Sequence, residues 1–239
     1  MNKYLLAGAV AALFAFAACA ETAAEADLRK IIEASMNKDT KVDSVREAGF
    51  LGLYEVIIGG EIVYTDRKGN YLLVGDVVET KTHKNLTDER KQKLSQIRFS
   101  DLPLDMAVKQ VRGNGKRVFA TFEDPNCGFC KKLAKEMQGM TDVTIYTFLY
   151  PILTPDSADK SKAIWCAKDQ AKAWNDWMVH GTEPVAAKCD TPTDKVVALG
   201  RKLNIRGTPT IFFVDGSRVP GFIPAAQLEQ SLTKAASGG

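Results

Sequence analysis

The stretch Val118-Phe-Ala-Thr-Phe-Glu-Asp-Pro-Asn-Cys127-Gly-Phe-Cys130-Lys-Lys-Leu133 decides how the second half of this chain is read. Val118 to Phe122 is apolar and rich in β-forming residues, which predicts a buried strand. From Cys127 to Met140 the composition is helical. Phe129, Leu133 and Met137 fall on one i, i+4 row with Ala134 beside it, a face expected to pack on a sheet. Two cysteines separated by two residues, at the point where strand passes into helix, can bond to each other. The unpaired N–H groups and dipole at a helix N-terminus favour an anion at the outermost residue. The Cys127 thiol is therefore expected to ionise below its ordinary ~8.5, with Lys131 and Lys132 adding to the effect. In this reading Cys127 attacks a substrate disulfide and forms a mixed disulfide, and Cys130 is the resolving thiol.

Other uses of such a pair fit less well. A zinc site needs four ligands, and His83 and His180, the only histidines, stand at no ligand spacing to a cysteine. No metal and no cofactor are expected. Covalent haem would need histidine at position 131, which is Lys131. An inert structural bridge is the remaining alternative.

Outward from the motif, strands are expected at Met106–Val111, Arg117–Phe122 and Val143–Leu149, with a turn at Gly113-Asn114-Gly115, so that strand, helix and strand form a parallel β-α-β unit. Residues 156–204 read as helical, and Thr210–Val214 with Arg218–Val219 as a hairpin before a closing helix at Ala225–Lys234. The result is a three-layer α/β sandwich with a helical insertion. Gly207-Thr208-Pro209-Thr210 stands just before a strand, where a cis Thr208–Pro209 bond would present the Thr208 backbone to an incoming chain. An ordinary β-edge proline is the alternative. Cys166 and Cys189 enclose the insertion; a bridge between them would stabilise by about 3 kcal/mol on the loop-entropy model. That reading is structural, and the alternative is a second redox centre.

The first half differs. Residues 26–37 place Leu28, Ile31, Ile32 and Met36 at helical spacing. Leu53–Ile58 and Glu61–Thr65 flank Gly59-Gly60, a two-residue hairpin signal, and strands are also expected at Tyr71–Val74 and near Val77–Thr82. This small α+β unit, 21–85, has a modest core, a size at which a second copy often helps. A mainly polar segment, Thr87–Phe99, with Thr87 as candidate N-cap, reads as a linker helix within 86–104, and 105–239 is the second domain. Residues 1–20 have a positive start at Lys3, an apolar run from Leu5 to Ala18 and an Ala18-Cys19-Ala20 cleavage pattern, the features of a secretory signal peptide. Cys19 also fits a lipobox loosely, so lipid anchoring is the minor alternative. The net charge of +3 is well mixed, which leaves nucleic-acid binding without an electrostatic footprint.

In the order and spacing of Asp124–Leu133, Ala163-Ile-Trp-Cys-Ala-Lys-Asp169, Gly207-Thr-Pro209 and Val219-Pro-Gly-Phe222, the chain resembles the DsbC family of periplasmic disulfide isomerases. The resemblance implies a cystatin-like N-terminal dimerisation domain and a thioredoxin-fold catalytic domain, joined in a V-shaped homodimer. It implies Cys127 as nucleophile, Cys130 as resolving thiol, a cis Pro209 and a Cys166–Cys189 disulfide. Thr208, Pro209, Gly128 and Phe129 would contact substrate. Misfolded disulfide-containing exported proteins are the implied substrates, and a DsbD-like membrane thiol reductase the implied partner. Phe129 stands where the family commonly has Tyr, which removes a hydrogen-bonding phenol. The rival functions are a DsbG-like sulfenic-acid reductase or chaperone, against which Gly128 argues; a DsbA-type oxidase; and a thiol-independent holdase.

Overall fold

Alternating and helical apolar patterns divide this chain between two separate cores, and the computed structural model describes residues 21–37 and 40–237 of it. The segment read as a signal peptide, with Cys19, lies outside the described residues. One unit ends at Asp88 and the other begins at Glu89.

In the first unit, α1 spans Ala23–Ser35. It begins three residues before the expected start because Thr22 and Glu25 form a capping box, the Thr22 hydroxyl accepting from the Glu25 N–H and the Glu25 carboxylate accepting from the Thr22 N–H. Leu28 and Ile32 bury one face of the helix against a four-stranded antiparallel sheet. Its strands are β1 (Val42–Glu47), β2 (Tyr54–Ile58), β3 (Glu61–Thr65) and β4 (Leu72–Leu73), in that spatial order. β1 went unread in the sequence. A bulge between Val42 and Ser44 puts its two core residues, Val42 and Val45, out of the alternation that marks a half-buried strand. Short strands β5 (Val78–Glu79) and β6 (Lys84–Asn85) precede α2 (Leu86–Leu94).

Thr87 is not the cap of α2. It is buried inside the first turn, its hydroxyl bonded to Tyr64 and to the Val77 N–H, while the Asn85 side chain accepts from the Asp88 N–H. The helix also stops at Leu94 instead of Phe99. The Ile97 N–H leaves the helical path to bond the Gly216 carbonyl, and Phe99–Asp101 and Leu104–Met106 are 3-10 turns.

The second unit is built on five strands: β7 (Val108–Arg112), β8 (Arg117–Glu123), β9 (Val143–Leu149), β10 (Thr210–Phe213) and β11 (Arg218–Pro220). Their order is β11-β10-β8-β9-β7, with β8 and β9 parallel and the other pairs antiparallel. β8 is the middle strand. Phe119 faces a core shared with Leu133, Met137 and Ile145, while Ala120 and Phe122 face one shared with Phe148 and Tyr150. The first core is covered by α3 (Gly128–Glu136) and α7 (Ala225–Ser237), the second by α6 (Thr193–Lys202).

Between β9 and α6 lie α4 (Ser157–Trp165), α5 (Gln170–Asn175) and a π-helical turn, Asp176–His180. Ile164, Trp174 and Met178 from this insertion pack with Cys127, Cys130 and Ala134. A disulfide joins Cys166 to Cys189, with Cα atoms 5.7 Å apart. Replacing both by serine should cost about 3 kcal/mol in chemical denaturation. Alkylation of Cys127 should persist, and loss of both together would mean that the bridge also shapes the reactive site.

Candidate active site

Because β8 ends at Glu123 and α3 begins at Gly128, the four intervening residues must turn the chain back over the sheet. Asp124 makes that turn. Its buried carboxylate accepts from the Asn126 N–H at 2.8 Å, the Ile152 and Leu153 N–H groups at 2.7 and 2.9 Å, and the Ser157 hydroxyl at 2.8 Å. One side chain thereby ties the approach to α3 to the segment after β9. The Trp177 indole N–H closes the same turn from the insertion by donating to the Pro125 carbonyl at 2.6 Å. The sequence offered a faint signal for Asp124, an acid two residues before the residue it caps, and none for Trp177.

Cys127 is the N-cap of α3, and its Sγ accepts from the Cys130 N–H at 3.2 Å. Across the site, Sγ also lies 3.2 Å from the Thr208 carbonyl oxygen. The Thr208–Pro209 bond is cis. Thr210 opens β10 opposite Phe122 of β8, which carries this dipeptide to the end of the sheet where α3 starts. The two cysteines are unbonded to each other and both are buried, Cys130 completely.

Their environments separate them. The Cys127 pKa is lowered to about 6: the Cys130 thiol beside it is the largest cause, burial opposes, and Thr208 and the N–H groups of Cys130 and Phe129 add to the lowering. The Cys130 thiol is pushed far up, by burial first, then by its hydrogen bond with Cys127, and then by the charges of Glu123 and Cys127. At neutral pH the pair holds a thiolate at Cys127 and a thiol at Cys130. Iodoacetamide alkylation of the reduced chain should therefore change rate with a midpoint near pH 6. Below that pH protonation of Sγ should slow it about tenfold per unit, and above it the rate should level off. A rate still climbing through pH 8 would contradict this geometry.

Lys131 and Lys132 do not enter that shift. The Lys131 ammonium lies 4.0 Å from the centroid of the Trp177 ring and the Lys132 ammonium 4.4 Å from that of Phe222, so each rests on an aromatic face instead of approaching the thiolate. Phe129 also departs from the expected packing row. Leu133 and Met137 are buried, but Phe129 is 63% exposed and stacks on Phe222 with centroids 6.3 Å apart. Nothing lies within 4 Å of where a Cβ would stand at Gly128, so the surface there is open. Gly128, Phe129, Thr208 and Pro209 thus surround Cys127, while Cys166 and Cys189 belong to the insertion. Among the described residues no cluster of three or more metal-ligating side chains occurs, and no helix is long and apolar enough to cross a membrane.

The family profile of the disulfide bond isomerase protein N-terminal domain matches residues 19–88, and that of the thioredoxin-like domain matches residues 104–236. A probable thiol:disulfide interchange protein DsbC from Bordetella pertussis is 52% identical over 191 residues, covering 80% of this chain and 68% of that protein. The thiol:disulfide interchange protein DsbC of Escherichia coli K12 is 28% identical over 224 residues, covering 92% of this chain and 93% of that one. The crystal structure of a disulfide interchange protein from Neisseria gonorrhoeae superposes with a TM-score of 0.55 at 47% identity. That match covers 56% of this chain and 98% of the other.

Proposed function

The chain belongs to the DsbC family of thiol:disulfide interchange proteins, with that family's N-terminal domain and a thioredoxin-like domain, and we propose that within it this protein is a disulfide isomerase. The observation that carries the reading is the placement of the Cys127 Sγ at the start of α3, accepting from the Cys130 N–H and lying beside the Thr208 backbone and cis Pro209, with the Cys130 thiol completely buried behind it.

Cys127 attacks one sulfur of a wrong disulfide, an S–S bond forms to Sγ, and the other substrate sulfur leaves as a thiolate. Two routes lead on. The freed substrate thiolate attacks a second disulfide, and a substrate thiolate finally expels Cys127, so the substrate is reshuffled with no net change in oxidation. Alternatively Cys130 attacks Sγ of Cys127, the substrate leaves as a thiol, and the enzyme is left oxidised; a membrane thiol reductase of the DsbD type would restore it. A pKa of about 6 serves the release more than the attack. It raises the thiolate fraction at neutral pH roughly thirtyfold over a free cysteine, but most of that gain is offset by weaker nucleophilicity, whereas a more acidic thiol leaves faster.

Gly128, Phe129, Thr208 and Pro209 form the surface on which the substrate chain lies in this reading. Homodimerisation through the N-terminal unit is supported by its family match and by β4. β4 is an edge strand of its sheet, and Tyr71 and Val74 flanking it are 72% and 83% exposed. An unpaired apolar edge of this kind is a template for a second strand. Misfolded, disulfide-containing exported proteins are the substrates in this reading, and the periplasm its compartment.

The test is reactivation of a scrambled multi-disulfide protein in a glutathione buffer. The reduced chain should restore substrate activity well above buffer alone. Reduction of sulfenic acids or suppression of aggregation without reshuffling would replace the isomerase reading with a DsbG-like or holdase one.

A further inference from the structure

Trp177 touches the redox turn at two points, and the thiol chemistry described so far uses neither. It stands on the π-helical turn Asp176–His180 that continues α5, next to the buried Met178 of the insertion. Such turns inside a helix occur frequently at functional sites. The indole N–H donates to the carbonyl of Pro125, two residues before Cys127, and the ring carries the Lys131 ammonium 4.0 Å from its centroid. Lys131 is four positions after Cys127 on α3, its N–H bonded to the Cys127 carbonyl at 3.0 Å. Side chains on a helix lean towards its N-terminus and cover the residue one turn back. Without the ring, the Lys131 ammonium would therefore lie over Cys127; the indole face draws it aside. Lys160 of α4 stands over the same ring at 5.0 Å, but its charge is already met by Asp156 and by Glu183. Among the described residues no carboxylate pairs with Lys131, so the ring is what fixes it.

We propose that Trp177 is a positioning residue for the nucleophile: its ring keeps the Lys131 cation off the Cys127 thiolate and so preserves the nucleophilicity of that sulfur. A cation within about 4–6 Å of a thiolate stabilises it and makes the thiol more acidic. At Cys127 that gains nothing. With a pKa already lowered to about 6, the thiol is mostly ionised at neutral pH, so a further lowering adds almost no thiolate. It does weaken the attack, because nucleophilicity falls as the pKa of the thiol falls. Parking the cation on an aromatic face keeps its charge on α3 without that loss.

The other charged and titratable groups around the thiol and the ring are already placed. On α3, Lys132 rests over Phe222, and Cys130 is held as a thiol. On β8, burial pushes the Glu123 carboxyl up to about 8. In the turn that follows, Asp124 is taken up by its four hydrogen bonds. On the insertion, Lys160 pairs with Asp156 and Glu183, and Lys172 with Asp176. Lys131 is the cation beside Cys127 whose position the Trp177 ring decides.

The inference rests on the thiol-exchange reading of Cys127 but not on isomerase activity, because its test follows iodoacetamide alkylation of the reduced full chain across pH. Trp177→Leu should move the midpoint down by about one pH unit as the freed ammonium returns over Sγ. The plateau rate should fall about threefold, the loss expected for a thiolate that much more acidic. Adding Lys131→Met to Trp177→Leu should restore the wild-type midpoint, while Lys131→Met alone should leave it nearly unchanged. A role confined to holding the turn in shape would instead move the midpoint equally with and without the lysine. Trp177→Phe, which keeps a ring but no N–H, should recover most of the wild-type behaviour. An unmoved midpoint in Trp177→Leu, or a shift that persists with Lys131→Met, would overturn the proposal. Should Trp177→Leu fail to fold, the wild-type chain answers instead. The Lys131 Hε protons should resonate upfield of those of the exposed Lys135 through the Trp177 ring current, and unshifted resonances would overturn the proposal. Failure here with intact reshuffling would leave the isomerase reading standing, and the converse would leave this one.

Discussion

A Cys127→Ser chain should exchange disulfides no faster than the glutathione buffer alone, on protein and small-molecule substrates alike. The hydroxyl that replaces the thiol cannot be a thiolate, and no other described thiol can stand in. Cys166 and Cys189 are joined to each other. Cys130 is fully buried and its thiol pushed far up by burial, so it offers almost no thiolate to an outside disulfide at neutral pH. Folding should be nearly unaffected, since a serine at the N-cap of α3 can still accept from the Cys130 N–H. A melting temperature close to wild type with exchange at background is the expected pair of results. Retained reshuffling would move the chemistry away from Cys127, and retained protection of aggregating proteins alone would identify a separate holdase surface.

Asp124→Ala should be the most destabilising single change at the site. Its carboxylate accepts four hydrogen bonds from three backbone N–H groups and one hydroxyl. Truncation leaves all four donors without their partner, at about 1–3 kcal/mol for each that stays buried. Ile152 and Leu153 are partly exposed, so solvent can recover some of their N–H bonds, and a net loss of roughly 3 kcal/mol is expected. In a domain of this size that lowers the melting temperature by about 10 °C. Asp124→Asn should lie between, because the remaining oxygen can keep one pair of donors while the amide nitrogen faces the other pair. Thermal unfolding checks both variants, and an unchanged transition in Asp124→Ala would show that the turn is held elsewhere.

The strand, turn and helix around Cys127 are legible in the sequence because each carries its own local signal: an apolar run, a Pro-Asn turn and a cysteine pair at the helix start. The β2–β3 hairpin is legible for the same reason. What escapes sequence reading depends on the tertiary partner. The bulge in β1 breaks the period that would have marked it. The start of α1 follows from a capping box that lies before its apolar face. Lys131 and Lys132 stand next to a cysteine in the sequence, yet their heads are placed by Trp177 and Phe222, the first of which is 46 positions further along the chain than Lys131. Glu123 reads only as the residue after an apolar strand. Its complete burial emerges once α3 folds over β8.

In this mechanism Cys127 carries the substrate covalently and Cys130 releases it. The most direct measurement mixes a reduced Cys130→Ser chain with a misoxidised substrate, quenches in acid and maps the products by non-reducing mass spectrometry. An accumulated, reductant-sensitive adduct at Cys127 is expected, and it should be absent when Cys127 is also replaced. No adduct, or one joined through any other residue, would contradict it.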